Sequence, residues 1–307
     1  MTKFVKIDIF AGRPNPVFAA SEDLLSFLHG AGVAVTTDEG DESTGKLGYR
    51  GFRVLETISE IESNSVTSED LIGEYNQSRL IESSPDLERR LLDAAKEASA
   101  IDDQLYGYIA DAIGGSTLDT GIAIDTATDE SRQSNASPPG GTGSQSVAST
   151  SSGDPQCPPC GGADAPGYNP GYWNGDSHRK ASNNCYAYAN NQATNTFPQP
   201  GRGSGQVFTF IDCDDVRLAA ERDGLVTVGS FQASRAGWYV ALVIWPGQDY
   251  HWYRQDTVGC WSHKPGSTSV RNLDNGGAQI SDPQLCDRGP YSIFCTYMVT
   301  DASAIIS

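Results

Sequence analysis

Nowhere in the 307 residues does an apolar run reach the roughly 18 residues that a bilayer-spanning helix needs, so no membrane span is expected. Clusters of basic residues are missing too. The formal net charge is -18, most of it contributed before residue 119, and an acidic chain without a Lys/Arg patch suits neither phosphate backbones nor anionic lipid. Nucleic acid is excluded as a partner on that ground. No signal peptide is expected at residues 1–10, which alternate polar and apolar side chains and show neither a continuous apolar core nor a small-residue cleavage site. Cysteine is absent from the first 156 residues.

What is present suffices for two domains, each with its own core. Residues 3–10 alternate as a strand does, and Gly12-Arg13-Pro14-Asn15-Pro16 makes a rigid turn for which proline and asparagine geometry is a full explanation. Ser21 opens a helical pattern with an acidic first turn, stopped by Gly30. A strand is expected over 47–58, and a helix over 85–113 whose stripe is Leu87, Leu91, Leu92, Ala95 and Ala98. Residues 1–118 thus read as a small acidic α+β domain. Residues 119–166 are Ser-, Gly- and Pro-rich, with little to bury, and read as a linker. Residues 167–307 form the second domain, and the first is a candidate carrier- or partner-binding element for it.

All seven cysteines lie between 157 and 295. An odd count allows up to three disulfides and one free thiol, Cys185 being the natural one to leave free. Cys286 with Cys295, and Cys213 with Cys260, are candidate pairs. Cys157-Pro-Pro-Cys160 lacks the strand and helix flanks of a thioredoxin-type motif and any local second pair of zinc ligands, leaving a staple to partners elsewhere beside the zinc and redox readings. Paired cysteines would put the chain outside the cell, by a route without a signal peptide; reduced ones would make it cytoplasmic.

The second domain centres on Asn183-Asn184-Cys185-Tyr186-Ala187-Tyr188-Ala189. With Asn183 as the cap, Cys185 falls in the first turn of a helix, where the dipole favours a thiolate. A further helix is expected over 214–222, then a meander of strands at 237–247, 249–256 and 258–266, and a last strand near the C-terminus. His251 and His263 become cross-strand neighbours in that meander. His251 is the candidate base for Cys185 and His263 its orienter, with Asn272 and Asp274 the alternative third members. Asn183 or His178 is the candidate oxyanion donor beside the Cys185 amide. No cofactor or metal is required.

A helix cysteine followed by a histidine on one strand and a polar residue on the next resembles papain-like folds, and the NlpC/P60 peptidases and amidases in particular. The match covers roughly residues 180–266, with Cys185, His251 in HWYRQ and His263 in CWSHKPG. Asn184 stands where that family has aspartate, and Trp252-Tyr253 where it has Val-Gly. The resemblance implies an α+β fold with a nucleophile helix packed on an antiparallel sheet. It also implies cysteine-dependent hydrolysis of a peptide or amide bond, with cell-wall peptide as the substrate class. The alternatives are a toxin-like deamidase or transglutaminase acting on protein, and a non-catalytic binding module lined with aromatic side chains. Non-convergence of Cys185 with the histidines would favour the last.

Overall fold

The computed structural model describes residues 3–30, 35–36, 45–56, 79–81, 84–114, 157–228 and 236–307. The expected linker lies outside the described residues up to residue 156, as does most of the acidic loop after Thr36. The first part of the chain holds β1 (Lys3–Asp8), β2 (Val17–Ala19), α1 (Glu22–Gly30), β3 (Val35–Thr36), β4 (Gly51–Glu56), β5 (Arg79–Ile81), α2 (Pro85–Glu97) and α3 (Asp103–Ile113). The second holds four helices, α4 (Pro170–Asn174), α5 (Ser177–Ser182), α6 (Cys185–Ala189) and α7 (Cys213–Arg222). Its strands are β6 (Val226–Val228), β7 (Trp238–Trp245), β8 (Asp249–Gln255), β9 (Trp261–His263) and β10 (Ile293–Thr300).

The strands form two antiparallel sheets, ordered β2-β1-β4-β5-β3 and β6-β10-β7-β8-β9. The architecture is therefore mixed α+β. The β7-β8-β9 meander forms as expected, and the C-terminal strand inserts between β6 and β7. The single helix expected over 85–113 is broken in two. Ser99 takes a left-handed backbone (φ 56°), and Asp102 caps a new start by accepting from the Leu105 amide at 2.7 Å. A continuous apolar stripe spans the break, which is why periodicity alone reads it as one helix.

β7 reads Trp-Tyr-Val-Ala-Leu-Val-Ile-Trp and is buried on both faces. Trp238, Val240, Leu242 and Ile244 face a core with α6 and α7. Tyr239, Ala241, Val243 and Trp245 face the other way, into one continuous core with Val5, Ile7, Phe10, Leu91, Leu92 and Ile109. The first sheet and its helices thus cover the outer face of the second sheet. Charge buried in this layer is matched: Arg53 donates to Asp8, and Lys6 lies 3.3 Å from the same carboxylate. Burial alone would raise the Asp8 pKa, but the flanking cations Lys6, Arg53 and Arg50 hold it at about 2.

The expected papain-like, NlpC/P60-type fold is corrected here. The element carrying Cys185 is a five-residue helix with the cysteine fully buried at its start. Two internal disulfides brace a compact α+β arrangement in which no catalytic thiol is evident.

Candidate functional site

Asn184, not Asn183, caps α6: its Oδ1 accepts from the Tyr186 and Ala187 amides, both at 3.1 Å. Its Nδ2 donates to the carbonyls of Gly12 and Pro198, each at 2.7 Å. Asn183 is spent elsewhere, donating to Arg179 O and Asn195 Oδ1 and accepting from the Asn195 amide. Neither amide group is left aimed at an oxyanion. Cys185, the first residue of the helix, is fully buried against Tyr250 and Trp252. Burial, with the Asp249 charge adding to it, pushes its thiol well above the ordinary range, opposite to the activation a nucleophile needs.

His251 lies on the other face of the sheet. Side chains alternate along β8, so Tyr250 and Trp252 look toward α6 while His251 packs against Tyr253, His263 and Tyr291. The structure does bring the two histidines together, as diagonal neighbours: His251 Nε2 is 2.8 Å from His263 Nδ1. His263 Nε2 is in turn 3.1 Å from the Leu273 carbonyl. A carbonyl only accepts, so His263 carries its proton on Nε2, accepts at Nδ1, and His251 donates from Nε2. That tautomer chain leaves His251 Nδ1 as a bare buried lone pair, with no partner among the described residues. Burial, then the neighbouring His263, holds His251 well below its ordinary pKa, and burial takes His263 down to about 3. Both rings are neutral, and the relay ends on a backbone carbonyl.

The other expected participants disperse. His178 is exposed on α5. Asn272 is half-buried, with its carbonyl accepting from the Ile280 amide, and Asp274 staples a turn through the Ala278 and Asp287 amides. Cysteine-dependent peptide or amide hydrolysis is thereby overturned, and with it the peptidase, amidase and toxin-like transferase readings. A protonated, enclosed thiol on one face cannot exchange a proton with a neutral imidazole on the other. Among the described residues no group of His, Cys, Asp and Glu has the makings of a metal site, and no helix is long and apolar enough to cross a membrane.

The residues that do converge include Asp249, which sequence did not single out. Asp249, fully buried at the start of β8, accepts from the amides of Ala11 (2.6 Å), Gly12 (3.1 Å) and Arg13 (3.0 Å) and from the Tyr291 hydroxyl (2.5 Å). Burial raises its pKa, and those four donors oppose the shift. The Gly12 carbonyl then receives Asn184, Gln199 Nε2 (3.1 Å) and the Tyr250 hydroxyl (3.1 Å). A side chain at position 12 would collide with the Tyr250 carbonyl and ring. Lys264, also fully buried, donates to the carbonyls of Lys180, Asn183 and Gly266, each at 2.6 Å, which ties α5 to the segment after β9. The legible signals were the Gly-Arg-Pro-Asn-Pro turn and a lone acid opening an otherwise apolar-aromatic strand.

Disulfides join Cys157 to Cys260 and Cys213 to Cys295, with Cα separations of 4.8 and 5.4 Å. Neither expected pair forms, because sequence proximity is a poor guide when α7 starts beside β10. Cys160, Cys185 and Cys286 are free. The Cys286 thiol, beside Tyr253, is pushed up to about 12 by burial.

No protein-family model and no solved structure matches the chain. It is similar to insoluble matrix shell protein 1 of Ruditapes philippinarum, 47% identical over 133 residues, which make up 43% of this chain and 87% of that protein. Identity at that level over most of the relative's length places the chain in the family of insoluble matrix shell protein 1.

Proposed function

We propose that this protein is a non-catalytic structural component of an insoluble matrix, assembled where disulfides persist. The observation that carries the reading is the 47% identity across 87% of a protein whose name places it in such a matrix. The internal chemistry supports it. Asp249, Lys264, His263 and Asn184, the residues that would otherwise suggest catalysis, spend their hydrogen bonds on backbone groups inside the fold. Two disulfides close loops of 103 and 82 residues, which raises resistance to unfolding in an oxidising setting.

Sequential extraction of the producing organism tests this. Antibody against the chain is expected to find it in the residue left by salt and detergent, released by denaturant with reductant. Quantitative recovery in the soluble cytosolic fraction, with all seven cysteines reduced, would overturn the proposal.

A further inference from the structure

We propose that Cys157, Cys160 and Cys260 form a thiol–disulfide exchange centre, in which the two cysteines of Cys157-Pro-Pro-Cys160 compete for the single sulfur of Cys260. Three observations carry it. First, Cys157 is bonded to Cys260 while Cys160, three residues on and only half-buried, is free. Second, the Cys-Pro-Pro-Cys segment lies directly over the residue before Cys260. Gly259 takes a left-handed backbone (φ 88°), and a Cβ there would strike the Pro158 carbonyl and stand 3.2 Å from the Cys160 amide nitrogen.

Third, the segment is held to the β8–β9 hairpin by contacts that do not depend on which sulfur is bonded. The buried Gln255 side chain accepts from the Gly161 amide (2.9 Å) and donates to the Gly259 carbonyl (3.0 Å) and the Pro159 carbonyl (3.4 Å). Backbone torsion disfavours pairing of the two cysteines of the segment with each other. A residue before proline is biased to extended conformations, and Cys157 and Pro158 both precede one. Fully extended, three steps of about 3.1 Å would set the two Cα atoms roughly 9 Å apart, beyond the about 7 Å limit for a disulfide. Cys260 is their common partner.

The exchange conserves atoms and electrons. The Cys160 thiolate attacks the Cys260 sulfur, the Cys157–Cys260 bond breaks, and Cys157 leaves as the thiolate that takes up the proton Cys160 lost. No external oxidant enters. One isomer fastens the chain to the second sheet at residue 157, the other at residue 160, so the exchange moves the covalent anchor by three residues. This inference does not rest on the matrix reading.

The full-length oxidised protein, incubated in mildly alkaline buffer with a trace of reduced glutathione, acid-quenched, alkylated and digested, is expected to yield two linked peptides that share Cys260. Alkylated Cys157 should appear in step with the Cys160–Cys260 species, and both should vanish in Cys160→Ser. As a second arm, Cys157→Ser refolded with glutathione disulfide is expected to form Cys160–Cys260. The proposal is overturned if the wild type shows only Cys157–Cys260 with Cys160 alkylated throughout. It is equally overturned if folded Cys157→Ser leaves Cys160 and Cys260 unpaired.

Discussion

The side-chain amide of Asn184 donates to the carbonyl oxygen of Gly12 at 2.7 Å, across a sequence separation of 172 residues. One asparagine therefore both caps α6 and holds the turn at residues 12–16 against the second sheet. Asn184→Ala removes the cap, worth about 1 kcal/mol, and takes one of three donors from a buried carbonyl, at roughly 1 kcal/mol more. The expected loss is about 2 kcal/mol in urea unfolding, with an unchanged denaturant slope. A loss below a few tenths would mean that Gln199 and Tyr250 suffice for Gly12.

Asp249 holds the same turn from its other side. Asp249→Ala strands the amides of Ala11, Gly12 and Arg13 in the interior, and each unsatisfied buried donor costs about 1–3 kcal/mol. Destabilisation by roughly 3 kcal/mol or more is expected. Asp249→Asn keeps one acceptor oxygen and should lose less. Equal thermal midpoints for Ala and Asn would show that the carboxylate is not what the turn recognises.

The histidine pair makes stability acid-sensitive in a definite direction. Both rings have folded-state pKa values below the ordinary 6.5, His263 at about 3. The unfolded chain then binds more protons than the folded one between those values, so stability is full above about pH 6.5 and falls as pH drops toward 3. Each ring that must take up a proton contributes at most about 1.4 kcal/mol per pH unit. Asp8, with its pKa lowered to about 2, adds a loss that begins only below about pH 4. Unfolding free energies measured from pH 7 to 5 should therefore slope downward in the wild type and about half as steeply in a folded His251→Gln variant, where His263 alone remains. A flat wild-type profile in that window would contradict the neutral, buried pair.

Local chemistry made much of the fold legible. Alternation locates β1, a continuous apolar run locates β7, the Ser-Glu-Asp start locates α1, and Gly224 follows the end of α7. The proximity of His251 and His263 also follows from strands joined by a short turn. What sequence could not supply is which face of the meander α6 covers. β7 is apolar on both faces, so the usual inside–outside contrast is absent, and Cys185 could be placed on either side of His251. Long-range capture was equally hidden. Gly12-Arg13-Pro14-Asn15-Pro16 is explained as a turn by its own residues, with Asn15 accepting from the Ile9 and Phe10 amides. That its remaining amides dock on an aspartate more than 230 positions later leaves no trace in spacing.

Cys185 supplies the sharpest chemical test, because its burial makes a claim opposite to that of a nucleophile. Its thiol is enclosed by Tyr250 and Trp252, and burial plus the Asp249 charge keep it protonated. Iodoacetamide needs both access and thiolate. In the native protein, from neutral to mildly alkaline pH, peptide mapping should find Cys160 alkylated and Cys185 untouched. Denaturant should then bring Cys185 to the same extent of labelling. His251→Ala should not alter the native result, since that ring lies across the sheet and never touches the sulfur's environment. Alkylation of native Cys185 at a rate matching Cys160, or a rate that falls in His251→Ala, would restore the coupling that the alternation of β8 rules out.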